Sequence, residues 1–360
     1  MKKRILSTIT ISIMLIGILA FVTGCGNGPD YSSLKLEDYV DLAQYKGVTY
    51  KLGDATVTDD EIEAEVKTRL DAAAETTVVQ EGVVEDGSTI NVSYEGKIDG
   101  KTFEGGSTES SDIIIGKTSM IDGFVEGLIG KSVGDTVTLN LKFPDDYHSS
   151  KVAGKDVVFT VKIKGIKIKT VPELTDEWVA ANSKVKTVAE YRESVKSELE
   201  KAKQKQNKQT TKTAVWQEVF SKSKIKKYPE DALKHEKAKI IENYKETAEK
   251  TYKTTYEDYL KKYMNTTEKK FEKTAEDYAK TIVGQKLVLN AVASKEKLTV
   301  SDKEYKKHLE KVLKNAGLDE KSFEKSYKMS IEKYAEKMDW KTSMLYDKVT
   351  DKIIELGTQE

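Results

Sequence analysis

Residues 90–106 read INVSYEGKIDGKTFEGG, and this stretch decides the fold of the middle of the chain. Its apolar residues Ile90, Val92 and Tyr94 alternate with polar ones, which places them on one face of a β-strand. The same alternation recurs further on, at Val137, Leu139, Leu141 and Phe143 and at Val157, Phe159, Val161 and Ile163. Glycines cluster between these runs, and residues 121–128 form the only short helical pattern among them. The pattern predicts a small antiparallel sheet domain, over residues 84–169, around one short helix.

After Val171-Pro172 the composition changes, because glycine nearly disappears and lysine- and glutamate-rich helical patterns run to the last residue. Three stripes of apolar and aromatic residues recur at helical spacing. They are Val188, Tyr191, Val195 and Leu199; Tyr252, Tyr256, Tyr259 and Tyr263; and Tyr327, Ile331, Tyr334 and Met338. The fold class predicted for the whole chain is α+β, with a large all-α domain over residues 170–360.

The segment before the sheet, residues 25–83, is predicted to be a tether followed by a strand and a helix. Its first residues, 26–33, are small and polar, which is typical of a flexible tether. Val48-Thr49-Tyr50 has the pattern of a short strand. Thr58 and Glu61 form a capping-box pattern, which predicts a helix over residues 59–75.

Residues 1–24 have the pattern of a bacterial export signal. Three basic residues precede an apolar run over residues 5–22, and the junction Val22-Thr23-Gly24-Cys25 resembles a lipobox, in which the cysteine is acylated. We therefore expect Cys25 to be the lipidation site of an extracytoplasmic lipoprotein, anchored to the cell membrane. A plain signal peptide, or a single membrane helix with a chance cysteine, is the alternative.

The composition argues against several classes of function. The formal net charge is +0 and would become about −3 without the basic start, and the chain has few arginines, whereas nucleic-acid binding needs concentrated positive charge. Cys25 is the only cysteine, so once it is acylated no thiol remains for a disulfide, a thiolate metal site or a nucleophile. The three histidines lie far apart in the sequence. We expect no metal, no other cofactor and no nucleic-acid partner.

The sheet domain resembles the FKBP-type peptidyl-prolyl cis–trans isomerases, and within them the isomerase domain of trigger factors. The matching stretches occur in the family's order. They are VSYEG at 92–96, GKTFEGG at 100–106, MIDGFVEGL at 120–128, VGD at 133–135 and FPDDYH at 143–148, with Phe159 in the last strand. VPELT at 171–175 is similar to the junction that follows this domain in trigger factors, and YKGV at 45–48 and VTDDE at 57–61 are similar to the stretch before it.

The resemblance implies a cleft that catalyses rotation about the amide bond before proline. Apolar and aromatic residues would line it, namely Tyr94, Phe103, Met120, Ile121, Phe124 and Phe159. Tyr147 would donate a hydrogen bond at the rim, Glu104 stands where many FKBPs have aspartate, and His148 follows the rim tyrosine as in trigger factors. Phe124 and Met120 replace the tryptophan and valine of many FKBPs, which puts binding of typical FKBP ligands in doubt. The alternative is that these aromatic residues are only the core of a small sheet domain.

The helical half resembles trigger factor in its helical character and in its position after the isomerase. In that family this region forms arms that cradle unfolded clients, and the tyrosine stripes would suit that role, although such stripes are also typical of a bundle core. Residues 25–81 are too short for a full ribosome-docking domain and contain no Gly-Phe-Arg-x-Gly-Lys loop. We therefore expect no ribosome docking.

The predicted function is an isomerase and chaperone for unfolded or proline-containing polypeptides, which assists the folding of exported proteins at the outer face of the membrane. The competing interpretation is a non-catalytic, peptide-binding holdase or an adhesion-type lipoprotein. A prolyl isomerase assay distinguishes the two.

Overall fold

The structure is a computed structural model that describes residues 29–360. Its strands are β1 Val40–Asp41, β2 Thr49–Tyr50, β3 Glu75–Val79, β4 Thr89–Ile98, β5 Lys101–Ile114, β6 Thr136–Lys142, β7 Asp156–Thr170, β8 Lys224–Ile225 and β9 Thr358–Gln359. Its α-helices are α1 Asp59–Ala72, α2 Asp176–Asn182, α3 Val188–Lys222, α4 Glu230–Lys250, α5 Tyr256–Tyr263, α6 Glu268–Lys295, α7 Asp302–Ala316, α8 Glu320–Tyr327, α9 Ile331–Lys337 and α10 Trp340–Glu355. The described chain divides into two compact units, residues 56–200 and residues 29–55 together with 201–360.

The unit of residues 56–200 is built on a five-stranded antiparallel sheet in which β7 is the central strand. One edge of β7 pairs with β4, while its other edge pairs first with β6 and then with β3. Along β7 every second residue is buried, from Val157 through Phe159 and Val161 to Ile163. The predicted strands are therefore confirmed, and the alternation that predicted them marks the face on which the core lies.

The β4–β5 hairpin closes through Asp99 and Gly100, whose φ angles are +49° and +74°. Two successive residues with positive φ form the tight turn that matches the twist of paired strands, and an Asp-Gly dipeptide adopts it readily. The register between the two strands shifts twice, between Val92 and Tyr94 and between Glu95 and Lys97. Residues 103–106 of β5 therefore have no paired residue on β4.

The predicted short helix at residues 121–128 is instead a series of turns that ends in one 3-10 turn, Glu126–Leu128. Gly123 interrupts a regular helix because its φ is +85°, in the left-handed region. The Glu126 carboxylate also accepts a hydrogen bond from the Gly123 N–H at 3.1 Å. The side chains of Phe124 and Leu128, which belong to this segment, are nevertheless fully buried.

The same unit contains a small helical cluster formed by α1, α2 and the start of α3. The capping box at the start of α1 is confirmed, since Thr58 and Glu61 exchange hydrogen bonds as predicted. Val66, Val179 and Val195 are buried together in the core of this cluster. Arg69 contacts Glu198 at 2.8 Å and Arg192 contacts Glu63 at 2.6 Å, so both arginines of the described chain join α1 to α3.

The other unit is helical and is centred on α6. Residues of α3, α6 and α10 form its largest core, to which Tyr31, Val40 and Tyr45 of the N-terminal segment are added. Two short pairs of strands, β1 with β8 and β2 with β9, attach that segment to the unit. The predicted strand at residues 48–50 is thus present as β2. No helix within residues 29–360 is long and apolar enough to cross a membrane.

Two of the three predicted stripes do not lie on single helices. Tyr252 precedes the Thr255 cap of α5, so the second stripe begins in the connection from α4. Lys328, with φ of +60°, ends α8, and Ser330 caps α9, so the third stripe is divided between two helices. The predicted domain boundaries at 84 and 169 stay predictions, although the sheet itself extends from β3 to the end of β7.

Candidate functional site

The candidate site is centred on the ring of Phe159, which β7 presents from the middle of the sheet. Phe159 lies between Gly96 of β4 and Leu139 of β6 and is only 5% exposed. The ring centroids of Phe124 and Tyr94 lie 5.1 Å and 5.8 Å from it, with interplanar angles of 80° and 78°. Tyr94 and Phe124 also meet each other at 5.5 Å. Three aromatic rings thus meet mutually edge to face, an arrangement that the ring quadrupole favours.

A second row of rings leads outward from this centre. The Phe103 ring centroid lies 6.4 Å from Phe159 and 5.8 Å from Phe143. Phe143 contacts Tyr147 at 4.8 Å, and Tyr147 contacts His148 at 4.2 Å. The sequence interpretation quoted Phe143 but did not include it in the site. The alternation of β6 could have identified it, since it continues to Phe143 on the same face as Leu139 and Leu141.

Two glycines make room for these rings. A Cβ at Gly96 would lie 2.5 Å from Cε1 of Phe159, and a Cβ at Gly106 would lie 2.5 Å from Cζ of Phe103. Real Cβ atoms do not approach other heavy atoms that closely. The glycines of the VSYEG and GKTFEGG stretches are therefore needed where the sheet backbone passes close beside an aromatic ring.

The structure brings seven of the nine predicted side chains into one apolar cluster. They are Tyr94, Phe103, Met120, Ile121, Phe124, Tyr147 and Phe159. Met120 and Ile121 are half-buried at its border, beside a cavity of about 170 Å³ formed by the loop from Gly116 to Glu126. Glu104 and His148 are exposed and do not belong to the cluster.

This cluster is an apolar surface that carries two tyrosine hydroxyls, those of Tyr94 and Tyr147. No hydrogen bond within residues 29–360 uses the Tyr147 hydroxyl, although the residue is half-buried. Among the same residues no cluster of histidine, cysteine, aspartate and glutamate is arranged to hold a metal ion. The arrangement can hold an apolar group against aromatic rings and offer one hydrogen bond at the edge.

Both halves of the chain match known protein families. Residues 80–164 match the family of FKBP-type peptidyl-prolyl cis–trans isomerases, and residues 187–355 match the C-terminus of the bacterial trigger factor protein. The trigger factor of Agathobacter rectalis is 32% identical over 316 residues, which are 88% of this chain and 70% of that protein. The chain belongs to the trigger factor family. The predicted α+β fold, with an FKBP-type domain and a trigger-factor helical domain, is thereby confirmed.

Other trigger factors show the same extent of similarity. The trigger factor of Geobacillus kaustophilus is 30% identical over 82% of this chain and 66% of that protein. That of Clostridioides difficile is 29% identical over 91% of this chain and 74% of that protein. A solved structure of the trigger factor chaperone aligns with 88% of this chain and 72% of the chain in that structure. The TM-score is 0.47 and the sequence identity is 18%.

The comparisons correct the predicted location. The expectation of an extracytoplasmic, lipid-anchored protein was wrong, because the relatives are trigger factors, a family of cytoplasmic, ribosome-associated chaperones. The pattern that led to this expectation is confined to the first 25 residues. Cys25, the predicted lipidation site, lies outside the described residues. The expectation of no ribosome docking is likewise unsupported, because trigger factors normally dock on the ribosome.

Proposed function

We propose that this trigger factor is a peptidyl-prolyl cis–trans isomerase and that its helical unit holds unfolded, proline-containing polypeptides. The observation that most directly supports isomerisation is the Phe159 cluster, where three rings meet edge to face and the Tyr147 hydroxyl forms no hydrogen bond with any residue of the described chain. The match of residues 80–164 to the FKBP-type isomerases supports the same proposal.

The proposed mechanism follows from the electronic structure of the amide bond. Rotation breaks the conjugation of the amide, and its barrier is roughly 18–20 kcal/mol. The twisted amide has less charge separation than the planar ground state, so an apolar surface that excludes water favours the twisted form. Tyr94 and Phe159 would contact the proline ring, with Phe103, Met120 and Ile121 beside it and the fully buried Phe124 supporting Phe159 from beneath. No nucleophile, metal or proton transfer is needed.

The rim residues have supporting roles in this proposal. The Tyr147 hydroxyl would donate a hydrogen bond to a substrate carbonyl next to the proline and so orient the bound segment. Glu104 and His148, both exposed, would contact residues on either side of the proline rather than the rotating bond.

The experiment uses the full-length chain and three assays: isomerisation of a short X–Pro peptide, proline-limited refolding of a whole protein, and suppression of the aggregation of an unfolded protein. Tyr147→Phe keeps the ring and removes the hydroxyl, so it should lower the rate of peptide isomerisation about 2- to 12-fold. This range corresponds to the loss of one hydrogen bond that contributes about 0.5–1.5 kcal/mol. Tyr278→Phe is the matched control, because Tyr278 is 54% exposed on α6 and lies in the helical unit.

The outcomes separate an isomerase from a non-catalytic holdase. A folded protein that suppresses aggregation but does not accelerate peptide isomerisation is a holdase, and the isomerase proposal fails. A peptide rate that is unchanged in Tyr147→Phe contradicts the role of this hydroxyl alone.

A further inference from the structure

Met120 is the only methionine of the unit of residues 56–200, which contains the candidate site. The other methionines of the described chain, Met264, Met329, Met338 and Met344, lie in the helical unit. Met120 is half-buried in the loop between β5 and β6, where it packs against the aromatic cluster. It also lines the cavity of about 170 Å³ formed by residues 116–126. One side chain therefore borders both the apolar cleft and this cavity.

The cavity is polar, in contrast to the cleft. The polar residues that line it are Lys117, Thr118, Ser119, Asp122 and Glu126. Oγ1 of Thr118 accepts a hydrogen bond from the Ile114 N–H at 2.8 Å, so its own proton is available for a second bond. A water molecule needs only about 10–15 Å³ of such space. The cavity therefore has room for a small polar oxidant such as hydrogen peroxide next to the Met120 thioether.

The loop around Met120 is held in place by other residues. Ile115 precedes it and Phe124 follows it, and both side chains are fully buried in the sheet core. The Glu126 carboxylate accepts a hydrogen bond from the Gly123 N–H at 3.1 Å and so fixes the turn. Because none of these contacts involves the thioether, a polar change at Met120 alters the border of the cleft without removing what holds the loop.

We propose that Met120 is a site of reversible oxidation by hydrogen peroxide and that its sulfoxide lowers isomerase activity. This inference rests on the function proposed above, in which Met120 lies beside the proline ring. The thioether sulfur bonds to one peroxide oxygen, the O–O bond breaks, and proton transfer releases the other oxygen as water. The sulfur loses two electrons and the peroxide gains them.

The effect on the cleft follows from the change in polarity. Oxidation converts a flexible apolar side chain into a polar one. The sulfoxide oxygen is a hydrogen-bond acceptor that the aromatic cluster does not satisfy, whereas Thr118, Ser119 and Lys117 offer donors in the adjacent cavity. The oxidised side chain therefore turns toward the cavity and leaves the cleft without an apolar contact beside the proline.

The test treats the full-length chain with increasing hydrogen peroxide. Peptide mapping by mass spectrometry gives the oxidised fraction of each methionine, and isomerisation of a short X–Pro peptide gives kcat/KM. The value of kcat/KM should fall in step with oxidation of Met120, at least about fourfold when oxidation is complete, the contribution of one buried methylene group. The circular dichroism spectrum should not change. Methionine sulfoxide reductases for both epimers, with dithiothreitol as the reductant, should restore the rate.

Two results of this experiment overturn the proposal. One is an unchanged kcat/KM in a protein whose Met120 is fully oxidised. The other is a Met120 that stays reduced when Met264, which is 37% exposed, is fully oxidised.

Variants assign the effect to one sulfur atom, with each protein compared with its own untreated sample. Met120→Leu removes the sulfur and roughly conserves volume, so peroxide should not lower its activity. Met264→Leu is the matched control and should lose as much activity as the wild type. Met120→Gln, a polar side chain of similar length, should have a lowered rate before treatment and no further loss after it. Equal losses in Met120→Leu and the wild type would assign the effect to another residue, such as Cys25, and overturn the proposal.

Binding of the same X–Pro peptide, measured by NMR titration, separates this proposal from the function proposed above. If the chain binds the peptide without accelerating its isomerisation, only the isomerase function is lost. Oxidation should then still weaken binding at least about fourfold in the wild type and leave it unchanged in Met120→Leu. If the chain isomerises the peptide at a rate that oxidation of Met120 does not alter, only the present proposal is lost.

Discussion

Gly96 lies opposite Phe159 in the antiparallel pair of β4 and β7, and a Cβ at Gly96 would come within 2.5 Å of Cε1 of that ring. The same Cβ would lie 2.9 Å from the carbonyl oxygen of Gly106, so movement of the ring alone would not relieve the clash. The glycine therefore fixes where the central ring of the candidate site can lie.

Gly96→Ala should lower both stability and isomerase activity. Overpacking of this kind costs about 1–3 kcal/mol, and the displaced Phe159 ring would no longer meet Tyr94 and Phe124 edge to face. Urea unfolding and a peptide isomerisation assay measure the two effects. Full activity in Gly96→Ala would contradict the role of this contact.

Gly284→Ala is the matched control and should have the opposite effect. Gly284 lies inside α6, and a Cβ there would meet its nearest heavy atom at 3.4 Å, an ordinary contact. Replacing a glycine inside a helix by alanine stabilises it by about 0.5–1 kcal/mol. Destabilisation by Gly284→Ala would show that α6 has less room there than the structure indicates.

Lys286→Met should strongly destabilise the helical unit. The Lys286 ammonium is buried, 2.9 Å from Oε1 of Glu236 and 2.6 Å from Oδ2 of Asp339. Removing the ammonium leaves the buried Glu236 carboxylate and the half-buried Asp339 carboxylate without their main counter-charge, which costs about 3–5 kcal/mol. Lys280→Met on the same helix removes only exposed pairs, with Glu276 and Asp277, and should cost less than about 1 kcal/mol.

The pH dependence distinguishes a charge effect in Lys286→Met from a packing effect. Burial by itself raises the pKa of Asp339, but Lys286 outweighs it, and the net effect is a lowered pKa. In the wild type the lowered pKa of Asp339 stabilises the fold at pH values above the ordinary carboxyl pKa. This stabilisation is lost as the pH falls and Asp339 becomes protonated. In the variant, protonation of Glu236 or Asp339 at lower pH offsets the loss of this counter-charge. The difference in unfolding free energy should therefore narrow from pH 7 toward pH 4, and a constant difference would indicate packing alone.

A fragment of residues 56–200 should fold on its own and be more stable than one of residues 84–169. The shorter fragment lacks β3, which pairs with β7 from Ile166 to Thr170, and it lacks α1, which joins the core around Val179 and Val195. Circular dichroism during urea unfolding measures the stability of each fragment. Equal urea midpoints for the two fragments would mean that β3 and the helical cluster do not stabilise the sheet.

Isomerisation should not depend on pH between pH 6 and pH 8, because the proposed mechanism transfers no proton. His148 is exposed, and its ring contacts the Tyr147 ring. An inflection in the rate that disappears in His148→Gln would assign a catalytic role to this histidine.

The sequence predicted the strands well, because alternation along β4, β6 and β7 corresponds directly to burial on one face. The resemblance to the FKBP-type isomerases located the aromatic cluster, although Phe143 was missed. Spacing alone could not show that the third stripe is divided between α8 and α9 at Lys328. The apolar residues keep their spacing of three and four in the sequence even though Lys328, in the left-handed conformation, ends the first helix. Local pattern also misled at residues 1–25, where a signal-like stretch suggested a location that the comparisons contradict.

The central claim is that the Phe159 cluster accelerates rotation about X–Pro bonds. Exchange NMR on a short X–Pro peptide tests it most directly, because the uncatalysed reaction takes about 10–100 s and exchange on the timescale of the measurement requires catalysis. The full-length chain should speed cis–trans exchange in proportion to its concentration, and Phe159→Leu, shown to be folded by circular dichroism, should reduce the rate at least about tenfold. Exchange that remains at the uncatalysed rate in the presence of folded wild-type protein, or that is unaffected by Phe159→Leu, would contradict the account.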